Sequence, residues 1–253
     1  MPSLAGAELL LSSPPVRAEG VALFLDMDGV LAPLAPTPDA VGPVSRRTRV
    51  LKALDARLGG RVAIVSGRTI AEIDRIADKA VMSASGVHGL ERRRRDGSTL
   101  RGAPAPGVAV ALKAFEDFAA ARPGLIVEDK GVSAGLHYRQ APREADAAEA
   151  LARRLSDETG LALQPGHMVL ELKTPGATKG SAVEAFMAEP PFRGATPVML
   201  GDDLTDEAGF EAAAALGGYG VLVGPQRRTA ARYGLRDVEA VLDWLEAVAE
   251  VSA

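Results

Sequence analysis

Val21-Ala22-Leu23-Phe24-Leu25-Asp26-Met27-Asp28-Gly29 is the first strong element of the 253-residue chain: five apolar residues that break into two carboxylates at a glycine. A continuous apolar run of this length reads as a strand covered on both faces, as in the middle of a parallel sheet. Side chains two apart on a strand end point the same way, so Asp26 and Asp28 are expected to face one small site while Met27 turns into the protein. The grammar then repeats. After a loop with Pro33, Pro36, Pro38 and Pro43, a helix is expected over 44–58, with Val50, Leu51, Leu54 and Leu58 on one face, stopped by Gly59-Gly60. Val62-Ala63-Ile64-Val65 is a second buried strand running into Ser66-Gly67-Arg68, followed by a helix marked by Ile70, Ile73, Ile76 and Ala77. Late in the chain come a helix over 179–187, a strand over 197–200 ending in Gly201-Asp202-Asp203, a helix over 206–215, a strand over 219–223 and a closing helix carrying Val238, Val241, Leu242, Leu245 and Val248. Strand and helix in alternation predict a parallel sheet.

The middle reads differently. Between Pro104 and Thr174 the pattern is a helix (Val108, Leu112, Phe115, Ala119), a strand pair (125–128 and 133–139), a helix to about Thr159 and a second pair (161–164 and 168–172). Helices on one face of an antiparallel sheet are the natural packing of that order. The expectation is therefore a discontinuous α/β core, residues 1–104 and 174–253, with an inserted α+β cap over 105–173. Its hinges are expected at Pro104-Ala105-Pro106 and Thr174-Pro175-Gly176. No internal repeat or low-complexity tract is present.

Composition removes several classes of function. With no cysteine, disulfides, thiolate zinc sites and cysteine nucleophiles are excluded, and the chain suits a reducing cytoplasm. Its 29 basic against 33 acidic residues leave a net charge of -4 and no footprint for a polyanion. The run Arg92-Arg93-Arg94-Arg95 before Asp96-Gly97 reads as a solvated hairpin, so no nucleic-acid partner is expected. No apolar run approaches the roughly 20 residues needed to cross a bilayer, and Leu9-Leu10-Leu11 lacks the basic leader of a secretory signal. Residues 1 to about 18 read as a loose arm, and a cytoplasmic monomer is expected.

The chemistry lies at strand ends. Ser66 and Asp202 fall at the same carboxyl edge of the sheet as Asp26 and Asp28, where open parallel folds bind ligands. Clustered carboxylates repel one another unless a cation sits among them, which implies a hard divalent ion, with Mg2+ the default beside phosphate. Each piece has a plainer reading: Asp-x-Asp-Gly as a turn, Ser66 as a helix cap, Ala177-Thr178-Lys179-Gly180 as a helix start. Gly201-Asp202-Asp203-Leu204-Thr205-Asp206-Glu207 is richer in acids than capping requires. The order of these four pieces, each at a strand-to-helix junction, outweighs the plainer readings.

That ordered set resembles the haloacid dehalogenase superfamily of phosphotransferases, over about 21–104 and 174–245. More narrowly, Phe24–Leu31, Ser66-Gly67-Arg68, Gly86-Val87-His88-Gly89-Leu90-Glu91 and Gly201–Glu207 are similar to the trehalose-6-phosphate phosphatase family, as are Val127-Glu128-Asp129-Lys130 and His137-Tyr138-Arg139 in the cap. The resemblance implies that Asp26 attacks phosphorus to form an aspartyl phosphate and that Asp28 protonates the departing sugar oxygen and then activates water. It implies Mg2+ held by Asp26, the backbone carbonyl of Asp28 and Asp202. Lys179 and Ser66 would spread the phosphoryl charge, and Asp203 and Asp206 would orient metal waters or Lys179. The family often carries lysine where His167 stands.

The implied substrate is a phosphorylated disaccharide. Gly67, Arg68, His88, Glu128, Lys130, Arg139 and Glu171 are its expected contacts, with parity putting Glu128 beside Lys130 and His137 beside Arg139. Glu91 is expected either to meet sugar or to stabilise a turn, and Lys173 and Arg143 to lie on a solvated outer face. Sucrose phosphate, mannosyl-3-phosphoglycerate or a small hexose phosphate would keep the chemistry and change only the cap. A noncatalytic sugar-phosphate sensor would lack a carboxylate or the lysine, whereas Asp26, Asp28, Lys179 and Asp202 are all present.

Overall fold

A computed structural model describes residues 11–35, 37–166 and 168–251 of the chain. The core is an eight-stranded sheet. Its strands are β1 (Val21–Leu25), β2 (Val62–Val65), β3 (Ser83–Gly86), β4 (Glu91–Arg93), β5 (Thr99–Arg101), β10 (Thr196–Gly201), β11 (Tyr219–Val223) and β12 (Tyr233–Leu235). They lie in the order β12-β11-β10-β1-β2-β3-β4-β5, parallel from β12 through β3 and closed by the antiparallel β4–β5 pair. Alternation along β1 explains its burial on both sides. Val21, Leu23 and Leu25 pack into a layer with α1 (Ser45–Arg57), α2 (Ile70–Ala77) and α7 (Val238–Glu250). Ala22 and Phe24 pack into the opposite layer with α5 (Lys179–Met187) and α6 (Glu207–Ala215), where Phe24 meets the rings of Phe186 and Phe192.

The inserted segment builds its own core. Helices α3 (Gly107–Ala120) and α4 (Ala145–Thr159) cover one face of an antiparallel sheet ordered β6 (Ile126–Asp129), β7 (Ser133–His137), β9 (Val169–Lys173), β8 (Ala162–Gly166). Ala134, Leu136, Leu170 and Leu172 point into the helices with Phe115 and Leu155. The intervening residues of the same strands are thereby turned toward the core sheet. The two links run side by side: Thr174 Oγ1 accepts from Ala105 N at 3.0 Å and donates to Val132 O at 2.9 Å.

Several expectations are corrected. Residues 1–10, with most of Leu9-Leu10-Leu11, lie outside the described residues, as does His167. Residues 11–18 are not a free arm: Leu11 N donates to Gln226 Oε1 and Gly234 N donates to Ser12 O. The arginine run does form a hairpin, but each guanidinium has an acid partner on the core. Arg92 and Arg94 meet Glu189, Arg93 meets Asp74 and Arg95 meets Asp55. Arg143 is exposed as expected. Lys173 is buried, because it shares the inward parity of Glu171, and its ammonium donates to Ala177 O at 2.7 Å.

Candidate active site

The register of the sheet sets the site. Leu25 is paired with Ile64 on one side and with Leu200 on the other, so Asp26, Ser66 and Asp202 emerge at one edge. Met27 is fully buried in the α1/α2/α7 layer, which leaves Asp26 and Asp28 on the opposite side as strand parity requires. Gly29 adopts φ +73°, and a Cβ there would lie 2.0 Å from Asp202 Oδ2. Glycine is needed both for the turn and for the close approach of the two loops.

Lys179 is the first residue of α5, whose N-cap is Thr178 in a capping box with Ser181. The ammonium is 2.8 Å from Asp26 Oδ2 and 2.7 Å from Asp206 Oδ1. The remaining oxygen of Asp206 accepts from the backbone amides of Asp202 and Asp203 at 3.0 and 3.1 Å, so this fully buried carboxylate is used up in positioning. Asp203 accepts from Leu204 N as the cap of a 3-10 turn, leaving Lys179 to Asp26 and Asp206.

Oxygens of Asp26, Asp202 and Asp206 come within 4.8 Å of one another. Asp26 Oδ1 is buried without a hydrogen-bond partner. An orphaned buried oxygen in an all-oxygen cluster suits a hard divalent cation. Burial raises the Asp26 pKa well above the ordinary carboxylate value; Lys179 opposes that shift, and Asp206 and Asp202 add to it. Burial and then the Asp206 charge push Asp202 up to about 7. Lys179 is raised, because Asp206 and Asp26 outweigh the desolvation of its ammonium.

Ser66 is 1% exposed and does not cap α2; Thr69 does, with Glu72 reciprocating. The plainer reading of Ser66 is thus removed. Arg68 grips Asp28 through two hydrogen bonds, Nε to Oδ2 at 2.7 Å and Nη2 to Oδ1 at 2.8 Å, and reaches Glu72 at 3.2 Å.

The cap face closes over this edge. Glu171 accepts from Lys130 Nζ at 2.8 Å and from Ser133 Oγ at 2.7 Å, with His88 Nε2 at 3.4 Å. Burial disfavours the Glu171 anion, but Lys130 and His88 hold its pKa well below the ordinary range. Glu128 is 2.8 Å from His137 Nε2 and 3.6 Å from Lys130 Nζ. A single cavity is lined by Asp26, Asp28, Ser66, Gly67, Arg68, His88, Glu128, Lys130, Arg139, Glu171, Lys179, Asp202 and Asp203. Gln164, Thr205, Leu34 and Thr37 line it too without having been expected as contacts, and so does His137, which the sequence placed beside Arg139 but not among the contacts. Strand parity with Arg139 points to His137, whereas no pattern marks Leu34 or Thr37. Glu91 is absent from the lining. Its Oε2 accepts from Ile70 N at 3.1 Å, which is its turn-stabilising role.

Residues 24–239 match the trehalose-phosphatase family. The chain belongs to that family. The trehalose-6-phosphate phosphatase of Escherichia coli is 41% identical over 95% of this chain and 91% of its own length. A crystal structure of a trehalose-6-phosphate phosphatase related protein superimposes with TM-score 0.73 at 26% identity, over 90% of this chain and 96% of that one. A phosphatase of the haloalkanoate superfamily from Bacteroides thetaiotaomicron shares the fold at 16% identity, TM-score 0.56, over 94% and 97% of the two chains. The trehalose-phosphatase chain thus has a parallel-sheet core interrupted by an inserted α+β segment, the arrangement its strand grammar led us to expect.

Proposed function

We propose that the chain hydrolyses trehalose 6-phosphate to trehalose and inorganic phosphate through an aspartyl phosphate on Asp26. The observation that carries this reading is Asp26 itself: one oxygen is held by Lys179 at 2.8 Å, the other is buried with no partner, and both lie below a cap face of hydrogen-bonding side chains. Asp26 and Asp202, with the backbone carbonyl of Asp28, would hold the divalent ion, Mg2+ in this proposal. When bound, the ion would neutralise charge between the nucleophile and the phosphoryl group.

In the first step a bond forms from Asp26 to phosphorus, the bond from phosphorus to the sugar oxygen breaks, and Asp28 gives that oxygen its proton. In the second, Asp28 takes a proton from water as the water oxygen attacks phosphorus and releases Asp26. Arg68 orients Asp28 through its paired hydrogen bonds. Lys179 and the Ser66 hydroxyl meet the negative phosphoryl oxygens. Glu128, Lys130, Glu171, His88 and Arg139 supply donors and acceptors for sugar hydroxyls. In the same proposal residues 1–104 and 174–253 form the catalytic unit, 105–173 the cap, and the enzyme is a cytoplasmic monomer. Among the described residues no helix is long and apolar enough to cross a membrane.

Phosphate release from a panel of sugar phosphates, with Mg2+ or with chelator, tests the reading. Trehalose 6-phosphate should be preferred and Asp26→Asn inactive. Preference for small hexose phosphates would defeat the disaccharide assignment, and an active Asp26→Asn would defeat the nucleophile.

A further inference from the structure

Glu91 and Arg101 lie outside the cavity, yet Glu91 holds Arg101 and Arg101 is tied to Lys130, which lines it. They face each other across the β4–β5 pair, with Arg101 Nε 3.0 Å from Glu91 Oε1. Glu91 Oε2 accepts from Ile70 N at the end of the Ser66–Thr69 loop. On the other side, Arg101 Nη2 donates to Lys130 O at 2.7 Å, crossing from the core to the cap. The crossing needs Gly131: with φ +77°, a Cβ there would stand 2.5 Å from Arg101 Nη2. Lys130 then returns to the core, its Nζ donating to Gly67 O at 2.9 Å while also serving Glu171. The circuit is closed: the Ser66–Ile70 segment, Glu91, Arg101, the Lys130 backbone, the Lys130 ammonium and back to Gly67.

We infer that Arg101, braced by Glu91, is a positioning residue that fixes the closed cap by gripping the Lys130 carbonyl, and so sets affinity for a substrate that spans cap and core. The inference rests on the disaccharide phosphate reading above. A flexible side chain delivers its charged end reproducibly only when its own backbone is held, and Arg101 supplies that hold from outside the cavity. Arg101 is 52% exposed on its side chain, and an ion pair so exposed contributes little to folding. Its effect lies in the population of the closed arrangement. Apparent affinity falls in proportion to the fraction of protein that is binding-competent. An ester too small to reach the cap does not feel that fraction.

The test compares wild type with Arg101→Ala, Arg101→Lys, Lys130→Met and the double Arg101→Ala/Lys130→Met on trehalose 6-phosphate and on p-nitrophenyl phosphate. Arg101→Ala should raise KM for the disaccharide phosphate about tenfold and keep kcat/KM for the aryl ester within about twofold. Arg101→Lys should recover part of the loss, and the double variant should lose less than the two single losses combined, because both variants loosen one closed circuit through Lys130. An unchanged KM, equal losses on both esters, or additive losses would overturn the inference. Amide exchange without substrate supplies a readout independent of the sugar: Arg101→Ala should speed exchange in the 130–133 turn, and unchanged protection there would refute the strut. A wild type active on the aryl ester but not on trehalose 6-phosphate would overturn the disaccharide reading, and the exchange result would still decide the strut.

Discussion

Asp202→Asn should stabilise the metal-free protein above neutral pH and abolish its response to Mg2+. Partial burial and the neighbouring Asp206 raise Asp202 from the ordinary 3.8 to about 7. An acid whose folded pKa is raised costs nothing below its unfolded value; the cost grows as pH climbs and is complete above the folded value. A shift of roughly three units corresponds to about 4 kcal/mol in the limit. Asp202 keeps some solvent contact, so about 1–2 kcal/mol is the observable part. At roughly 2–4 °C per kcal/mol for a chain of this size, the substitution should raise Tm by about 2–8 °C at pH 8 and about half as much at pH 5.5. In wild type, Mg2+ at tenfold its Kd adds about 1.4 kcal/mol by mass action, worth about 3–6 °C. Thermal melts at both pH values, with chelator and with Mg2+, read all of this. A lower Tm for Asp202→Asn in chelator at pH 8, or a retained Mg2+ shift, would refute the reasoning that Asp202 is an ion ligand strained by the ion's absence.

Gly29→Ala should cut Mg2+-dependent turnover by roughly a hundredfold, because its Cβ needs space held by Asp202 at a positive φ; steady-state rates at saturating Mg2+ check it, and near-normal turnover counts against the close approach. Glu171→Gln should raise KM for the disaccharide phosphate about tenfold or more while sparing p-nitrophenyl phosphate, since it leaves Lys130 and Ser133 with an amide in place of an anion; equal losses on both would contradict the cap assignment. The depressed Glu171 pKa carries the opposite sign to Asp202: its stabilisation is present above the ordinary 4.5 and fades as pH falls below it. Wild type should therefore exceed Glu171→Gln in Tm at pH 6–7 and approach it below pH 4, and a constant gap would rule that out.

The parallel core was legible where apolar runs are long. β1, β2, α5 and β11 begin and end where the periodicity puts them. β3 was not, because Ser83-Ala84-Ser85-Gly86 lacks the β-branched and aromatic residues that mark a strand and is fixed by pairing with β2. Three-residue β12 gives no period to read. In the site, Asp26, Asp28 and Asp202 were visible because charged residues straight after buried strands have few structural uses, whereas Lys179, at a helix start, was marked by its place in the order of motifs and the resemblance they carry. Ser133 was not, since a small hydroxyl on a strand looks like any other until Glu171 is seen opposite. Lys173 carried a usable signal, its two-residue offset from Glu171, but lysine on a strand end usually means solvent. Val87 and His88 both adopt left-handed φ, 46° and 53°, which no local sequence preference favours; Val87 N to Arg68 O and His88 N to Ser66 O hold them there.

Trapping the phosphoryl group decides the central claim. Acid-quenched turnovers on trehalose 6-phosphate, reduced with borohydride and mapped by mass spectrometry, should convert residue 26 from aspartate to homoserine, the product of a reduced aspartyl phosphate. Reduction at Asp28 or Asp202, or full activity with no acyl phosphate trapped at Asp26 at any quench time, would contradict it.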